Sequence, residues 1–547
     1  MSSLWLYCIT LLFVTRSSSL NILFVSDGAA GHVTTVYELA KNMKNHNVTF
    51  FTQQLAKSYV NFETSATFHL IYSNDSTEAA INEKKLEQEL IGVYVNYSFI
   101  DSIFYSTPSA LPYVIQFLNK TIDILMKQRF DVIVINGLLM WGPILCDAIK
   151  TPCVIQSPVS IPNILNLNLP NYFSLLTPTD MTKATSRLFN AIFTFRLAFS
   201  SFFKSLPLFY KVFHALPRVP GPFYHSFTLK NLLLLKSKNL HLISMPSTFY
   251  VSTTEDPYTK YLGAFIDETE VNLTDDDLTH WLQSKKINSV IFAAFGSTSL
   301  IPHDRMLSLI IGIATFLIEV PDSSILLALR NVNYDTYESV LKTVDNDQIR
   351  YIFDSVERVK VERGFVPQKW ILQQHSVKIF LSHCGMGSIM EAFYYEKTVL
   401  CMPFNMDQFS NAVTVVYRGV GLSLFVPNLS PLESLITPYD YRHYAFTSRD
   451  VQEKLSKLWL IAIYQQAVKQ LSVEMKHAGG VKKAVELIEF FVEMNGTFDH
   501  FIPFEATLPF YQRYLLDLFV IFVLLPGMII LFVLVKYCQR QSKQKIE

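Results

Sequence analysis

Charge is scarce in this chain, and neither sign is in excess. Lys plus Arg and Asp plus Glu each number 46 in 547 residues, and charged residues make up only 17%. With no basic surplus there is no electrostatic footprint for a nucleic acid. Cysteine is scarcer still, at six. Cys8 lies in an apolar N-terminal run and Cys538 beyond an apolar C-terminal one. The remaining Cys146, Cys153, Cys384 and Cys401 are too few for a disulfide framework and are spaced unlike a zinc site.

Apolar residues, by contrast, are plentiful. They make up 50% of the chain, with 43 Phe and 27 Tyr, which suggests membrane contact or a greasy ligand cavity. At 547 residues the chain exceeds a single core, so two domains are expected. The run Leu4 to Val14 is too short to span a bilayer of ~30 Å and is followed by small residues, so 1–19 reads as a signal peptide. Leu518 to Val535 is unbroken by charge and long enough for one spanning helix, even with Pro526 at its centre. Lys536, Arg540, Lys543 and Lys545 follow, which puts the tail 536–547 in the cytosol and the rest in the lumen. The ending resembles a dilysine retrieval signal and points to the endoplasmic reticulum membrane. Seven Asn-x-Ser/Thr sequons, at Asn47, Asn74, Asn96, Asn119, Asn272, Asn428 and Asn495, fit a luminal glycoprotein, those at Asn47 and Asn428 least well.

The most informative stretch is Phe365 to Gln408, FVPQKWILQQHSVKIFLSHCGMGSIMEAFYYEKTVLCMPFNMDQ. A short apolar strand, Val377 to Leu381, breaks at Ser382 to Ser388 and turns into a helix near Ile389. Such a turn offers free backbone N–H groups and the positive helix end to an anion, most naturally a phosphate. In the bend around Gly385, His383 and Ser388 can donate to phosphate oxygens, and Glu391 can accept two neighbouring sugar hydroxyls. Phe365 offers a ring face for a base and Gln368 an amide, while Asp407 and Gln408 follow the strand Thr398 to Pro403 and can meet a second set of hydroxyls. An isolated strand, glycine turn and helix is a weak signal, but this ordered series is strong. Its bland alternative is a structural helix N-terminus.

The block resembles the signature of UDP-glycosyltransferases of the membrane-anchored glucuronosyltransferase type, and HCGMGSIMEA is close to the HCGWNS box of plant relatives. The resemblance implies a GT-B fold: two Rossmann-like domains facing a cleft, plus one C-terminal transmembrane helix. It places Phe365 on the uracil, where the family usually has Trp, and Gln368 and Glu391 on the ribose. His383 and Ser388 fall on the diphosphate, and Asp407 with Gln408 on sugar hydroxyls. Gly387 replaces an Asn that normally helps hold the phosphate. Ser297, after the strand Ser289 to Phe295, and Arg330, after Ile325 to Leu329, fall near the diphosphate. No Asp-x-Asp motif is convincingly placed, so metal independence is expected, with UDP-sugar as a substrate and no cofactor.

The opening β-loop-α-β pattern from Leu20 to Thr52 starts a Rossmann-like half, with ligand expected in the loop that holds His32. By itself His32 reads equally as a capping or surface residue. By resemblance it is the catalytic base, taking the proton of an acceptor hydroxyl as the oxygen attacks the anomeric carbon with inversion. The carboxylate that normally orients such an imidazole corresponds to Asn136 here. Asn keeps a hydrogen bond but no charge, and losing the charge costs up to ~10⁴-fold in related dyads. Three readings stay open: a slow enzyme, an acid supplied from elsewhere, or a UDP-sugar or lipid-binding protein on an enzyme scaffold. Asp27 is close to His32 in sequence, while Asp131 is expected at the far end of its strand.

The Phe-rich, cation-interleaved stretch Met181 to Leu216 reads as a membrane face, an acceptor wall or plain core. The polar segment between Arg330 and Phe365 reads as a surface insertion. The expected organisation is 20–265 as an acceptor-binding domain, 266–288 as linker, 289–495 as the UDP-sugar domain, 496–517 as a juxtamembrane segment and 518–535 as the membrane helix. The expected activity is transfer of a hexose to a small lipophilic acceptor, with UDP-glucuronate ahead of UDP-glucose as donor. Self-association is a further family trait.

Overall fold

Short runs of aliphatic and aromatic residues form parallel strands, the central ones buried on both faces. The computed structural model describes residues 19–544 apart from 160–166, 200–238, 251–256, 269–275, 428–443 and shorter breaks at 75, 97–98, 140, 143–144, 147–150, 168, 198, 298 and 406. The expected signal peptide, the Phe-rich stretch beyond 199 and the last three residues therefore lie outside the described residues.

The first sheet comprises β1 (Asn21–Val25), β2 (Asn47–Thr52), β3 (Phe68–Tyr72), β4 (Val132–Asn136), β5 (Cys153–Ser157), β6 (Leu240–Ile243) and β7 (Thr259–Tyr261), in the order β3-β2-β1-β4-β5-β6-β7. The second comprises β8 (Val290–Ala294), β9 (Ser324–Leu329), β10 (Val359–Arg363), β11 (Val377–Ser382), β12 (Thr398–Cys401) and β13 (Gly421–Ser423), in the order β10-β9-β8-β11-β12-β13. Both reverse strand order beside their first strand, so each has a crevice outside the carboxyl ends of β1/β4 and of β8/β11. The loops at those two points carry His32 and His383. Asp131 lies at the other end of β4, where its Oδ2 accepts the Asn21 N–H at 2.7 Å.

The segment 331–358 is not a surface insertion. It forms the helices Asn331–Thr343 and Asp347–Asp354 and leads into the edge strand β10. Its polar composition misleads because only a narrow stripe, Tyr337, Val340, Ile349, Ile352 and Phe353, is needed to cover the edge of the sheet. The stretch from Ser448 to His477 forms two helices, Ser448–Leu460 and Ala462–His477, broken at the extended Ile461. The four internal cysteines form two bridges, Cys146–Cys153 and Cys384–Cys401, with Cα atoms 5.6 and 5.4 Å apart. Parallel pairing of β11 with β12, Ser382 opposite Cys401, brings the second pair together.

The chain then returns to the first sheet. On helix Gly480–Glu493, Val481, Ala484, Ile488 and Phe491 enter the core built on Ile22, Phe24, Val33 and Val36. Glu489 bonds His46 at 2.8 Å, and past the helix the Phe498 N–H donates to the Tyr258 hydroxyl at 2.8 Å. Leu516–Tyr537 is a 22-residue helical run, exposed throughout and, at 1.5 Å per residue, roughly 33 Å long. A π-type turn at Val520–Leu524 precedes Pro526, whose ring cannot accept regular α-geometry in the turn before it.

Candidate active site

Pairing of Ala294 with Ser382 makes the turns after β8 and β11 emerge side by side. The His383 ring is wedged between them. A Cβ on Gly296, which has φ +70°, would lie 2.6 Å from its Nε2, and one on Gly385 only 2.4 Å away. Burial pushes the His383 pKa down to about 4, against a backbone hydrogen bond involving Ala294, so the ring is neutral near pH 7. Cys384 stands at φ +63°, a conformation a side chain disfavours. It is fixed there by its disulfide, by a Ser382 Oγ contact to its N–H at 3.1 Å, and by Asn411 Nδ2, which donates to its carbonyl at 2.9 Å. The helix Met386–Tyr394 starts at the end of this bend with its first amides unpaired by the helix. Ser297 sits in the adjoining turn.

At Gly387 a Cβ would meet nothing within 4 Å, so the place of the Asn that relatives carry is open space. Gly387→Asn is expected to tighten UDP binding about five-fold, because a hydrogen bond to a charged oxygen contributes ~1 kcal/mol or more. Calorimetric titration of the purified protein with UDP checks this, and unchanged or weaker binding refutes it.

The side chains expected at a ribose are together. Gln368 Nε2 donates to Glu391 Oε2 at 2.7 Å and to Ser388 Oγ at 3.2 Å. Burial raises the Glu391 pKa, against the Gln368 hydrogen bond and the Lys369 charge. Lys369 also reaches the first domain, where it pairs with Glu38 at 2.8 Å. Phe365 is 59% exposed, and its ring has the Tyr59 edge from the first domain at 5.6 Å. Arg330 lies with its guanidinium 5.6 Å from the Phe365 ring centre.

Asp407 precedes the helix Gln408–Tyr417, and its Oδ2 accepts from Asn411 Nδ2 at 2.8 Å. Asn411 in turn accepts from the hydroxyl of Tyr172, a buried first-domain residue. Gln408 is turned away from the role expected of it. Its Oε1 accepts from Phe404 N–H at 2.8 Å and its Nε2 donates to Asn405 at 2.9 Å, so its amide is engaged in the preceding turn.

His32 stands at the start of helix Ala30–Lys41, after β1. Its Nδ1 is 2.8 Å from both carboxylate oxygens of Asp27, while among the described residues Nε2 has no hydrogen-bond partner. Asn136, expected beside the ring, bonds the backbone of His32 instead, with Nδ2 donating to the carbonyl at 3.1 Å. Burial lowers the His32 pKa, but Asp27 and then Asp407 outweigh it, and the net shift is upward. Asp407 shows the reciprocal effect: burial raises its pKa, while Asn411 and His32 pull it down. The imidazole and the Asp407 carboxylate are therefore within electrostatic reach of each other. Tyr59, Tyr172, Asn411 and the Glu38–Lys369 pair were not singled out in the sequence, because their roles depend on contact between the two domains.

Two Rossmann-type sheets with paired crevices define a GT-B glycosyltransferase fold. Rice Os79, solved with U2F and a trichothecene, superposes with a TM-score of 0.56 over 86% of this chain and 100% of its own, at 15% identity. Residues 359–547 match the sequence profile of the family UDP-glucoronosyl and UDP-glucosyl transferase. A UDP-glycosyltransferase of Talaromyces amestolkiae is 31% identical over 201 residues, 35% of this chain and 37% of its own. The ugt-50 protein of Caenorhabditis elegans is 22% identical over 451 residues, 76% of this chain and 78% of its own. The first curated relatives are thus matched over only about two fifths of their length.

Proposed function

We propose that the protein is an inverting glycosyltransferase that moves a hexose from a UDP-sugar to a hydroxyl of a small lipophilic acceptor, with His32 as general base. Glucuronic acid is the first choice of sugar and glucose the second. The observation that carries this reading is geometric: Gln368, Ser388 and Glu391 meet at the bend after β11, and Asp27 holds the His32 ring by Nδ1 so that, among the described residues, Nε2 has no partner. On this reading, uracil stacks on Phe365, the ribose meets Gln368 and Glu391, and the diphosphate lies on the bend at Gly385 with His383, Ser388 and Ser297. Asp407 takes a sugar hydroxyl. The acceptor oxygen loses its proton to Nε2 as it bonds the anomeric carbon, and UDP leaves with the electron pair. We place the protein in the endoplasmic reticulum, held by Leu516–Tyr537 with its sheets in the lumen; the exposed sequons at Asn74, Asn119 and Asn495 are compatible with that placement.

Full-length protein in microsomes, given radiolabelled UDP-glucuronate or UDP-glucose and a panel of phenols and steroids, tests the proposal. Labelled glycoside is expected from one donor. A base must be neutral to act, and the His32 pKa is raised, so the rate climbs with pH through a value above the ordinary ~6.5. Absence of product with both donors refutes it.

A further inference from the structure

We infer that Asp27 is the carboxylate partner of His32 and that Asn136 is a positioning residue, so that the acid comes from the loop after β1 and the base from the first turn of the Ala30–Lys41 helix that follows it. The inference rests on His32 being the base. It differs from the arrangement implied by resemblance, in which the acid comes from the end of β4.

The loop is built to hold Asp27 where it stands. The Asp27 carbonyl accepts from Ser26 Oγ and Thr52 Oγ1, both at 3.2 Å, and its Oδ1 also faces the Ala29 N–H at 3.3 Å. Next to it, the Gly28 N–H donates to Gln53 Oε1 at 2.9 Å, and a Cβ on Gly28 would come within 2.9 Å of Leu55. A side chain at position 28 would therefore push the carboxylate out of place. Both Asp27 oxygens lie at the same 2.8 Å from Nδ1, which fixes the tautomer with Nε2 free to take a proton.

Asn136 is fully buried, and both ends of its amide are engaged: Nδ2 on the His32 carbonyl, and Oδ1 with the Leu138 N–H at 2.8 Å. An Asp there loses the donor and sets a buried carboxylate against a carbonyl oxygen, an unpaired arrangement. Asn is thus the residue this backbone contact requires, and its presence does not deprive the ring of a charge. Among the described residues, the charged groups bearing on the imidazole are Asp27 and, from the second domain, Asp407, while β4 and β5 present the neutral Asn136 and Gln156. In the reaction the acceptor proton goes to Nε2 and the Nδ1 proton stays between the ring and Asp27.

The test uses the full-length protein with Asp27→Asn and Asn136→Asp, each first checked for wild-type UDP binding. Transfer is measured against pH. Independently of turnover, the pH dependence of diethyl pyrocarbonate modification at His32 is followed by peptide mass spectrometry, since only the neutral ring reacts. Asp27→Asn is expected to lower kcat by about 10²–10⁴-fold and to move both the acid limb and the modification midpoint to lower pH. Asn136→Asp is expected to lower transfer as well. Three results would overturn the inference: an unchanged rate and midpoint in Asp27→Asn, a gain in Asn136→Asp, or a wild-type midpoint at or below that of an ordinary imidazole. A wild type that modifies as expected yet transfers no sugar overturns the base reading, and with it Asp27's part in catalysis.

Discussion

His32→Ala is expected to bind UDP as tightly as wild type while transferring sugar about 10²–10⁴-fold more slowly, the usual contribution of a positioned base. The separation of the two effects follows from where the ring sits. Its Nδ1 is held by Asp27 in the first domain, and the nucleotide motif lies in the second, so removing the ring leaves the bend at Gly385 and the Gln368–Glu391 pair untouched. Asp407 bears on the imidazole electrostatically from the donor side, but Asn411 holds one of its oxygens. It does not replace a base at the end of β1. Single-turnover rates and UDP titration on the same sample decide the matter. A parallel loss of affinity and rate would mean that His32 is part of the nucleotide site instead.

Gly385→Ala is expected to show the opposite pattern, with UDP affinity falling by roughly 100-fold or more at near-normal thermal stability. The added methyl would overlap the His383 ring, 2.4 Å from Nε2 and 3.2 Å from two ring carbons. The ring has no retreat, because its other side lies against Gly296, where the spacing is equally tight. Either the imidazole leaves or the bend shifts, and in both cases the amides ahead of Met386–Tyr394 lose their common aim. A loss of 100-fold corresponds to ~2.7 kcal/mol, in the range for two or three misdirected hydrogen bonds to a charged group. Gly387, where a methyl meets nothing, is the matched control. Equal effects of alanine at the two positions would show that crowding of His383 is not what matters.

The nucleotide motif was legible because its parts are close in sequence and follow strand-to-helix logic: Gln368, Ser388 and Glu391 lie within two turns and one strand of each other and meet as expected. Arg330 and Gln408 were legible as residue types, but their contacts within the protein, Arg330 with the Phe365 ring and Gln408 with Phe404 and Asn405, were not. A side chain at a strand end can swing toward the base or the phosphate, and Gln408 satisfies the turn before it rather than the cleft. Asn136 was legible as an uncharged residue at the end of β4, but its bond to the His32 carbonyl and the approach of Asp27 to Nδ1 depend on the backbone path after β1, which residue order does not give. The Cys384–Cys401 bridge depends on sheet adjacency, which spacing alone does not encode. The polar segment 331–358 shows the limit of composition, since a crossover at a sheet edge needs little apolar surface.

Because Gly480–Glu493 and the residues up to Tyr258's partner Asp499 dock on the sheet that carries His32, a bilayer holding Leu516–Tyr537 would grip the molecule by that half. The nucleotide-holding half would then be the moving jaw, free to swing away for UDP exchange while its stationary counterpart keeps a constant distance from the lipid. A greasy acceptor dissolved in the membrane would meet the fixed jaw whatever the nucleotide cycle was doing.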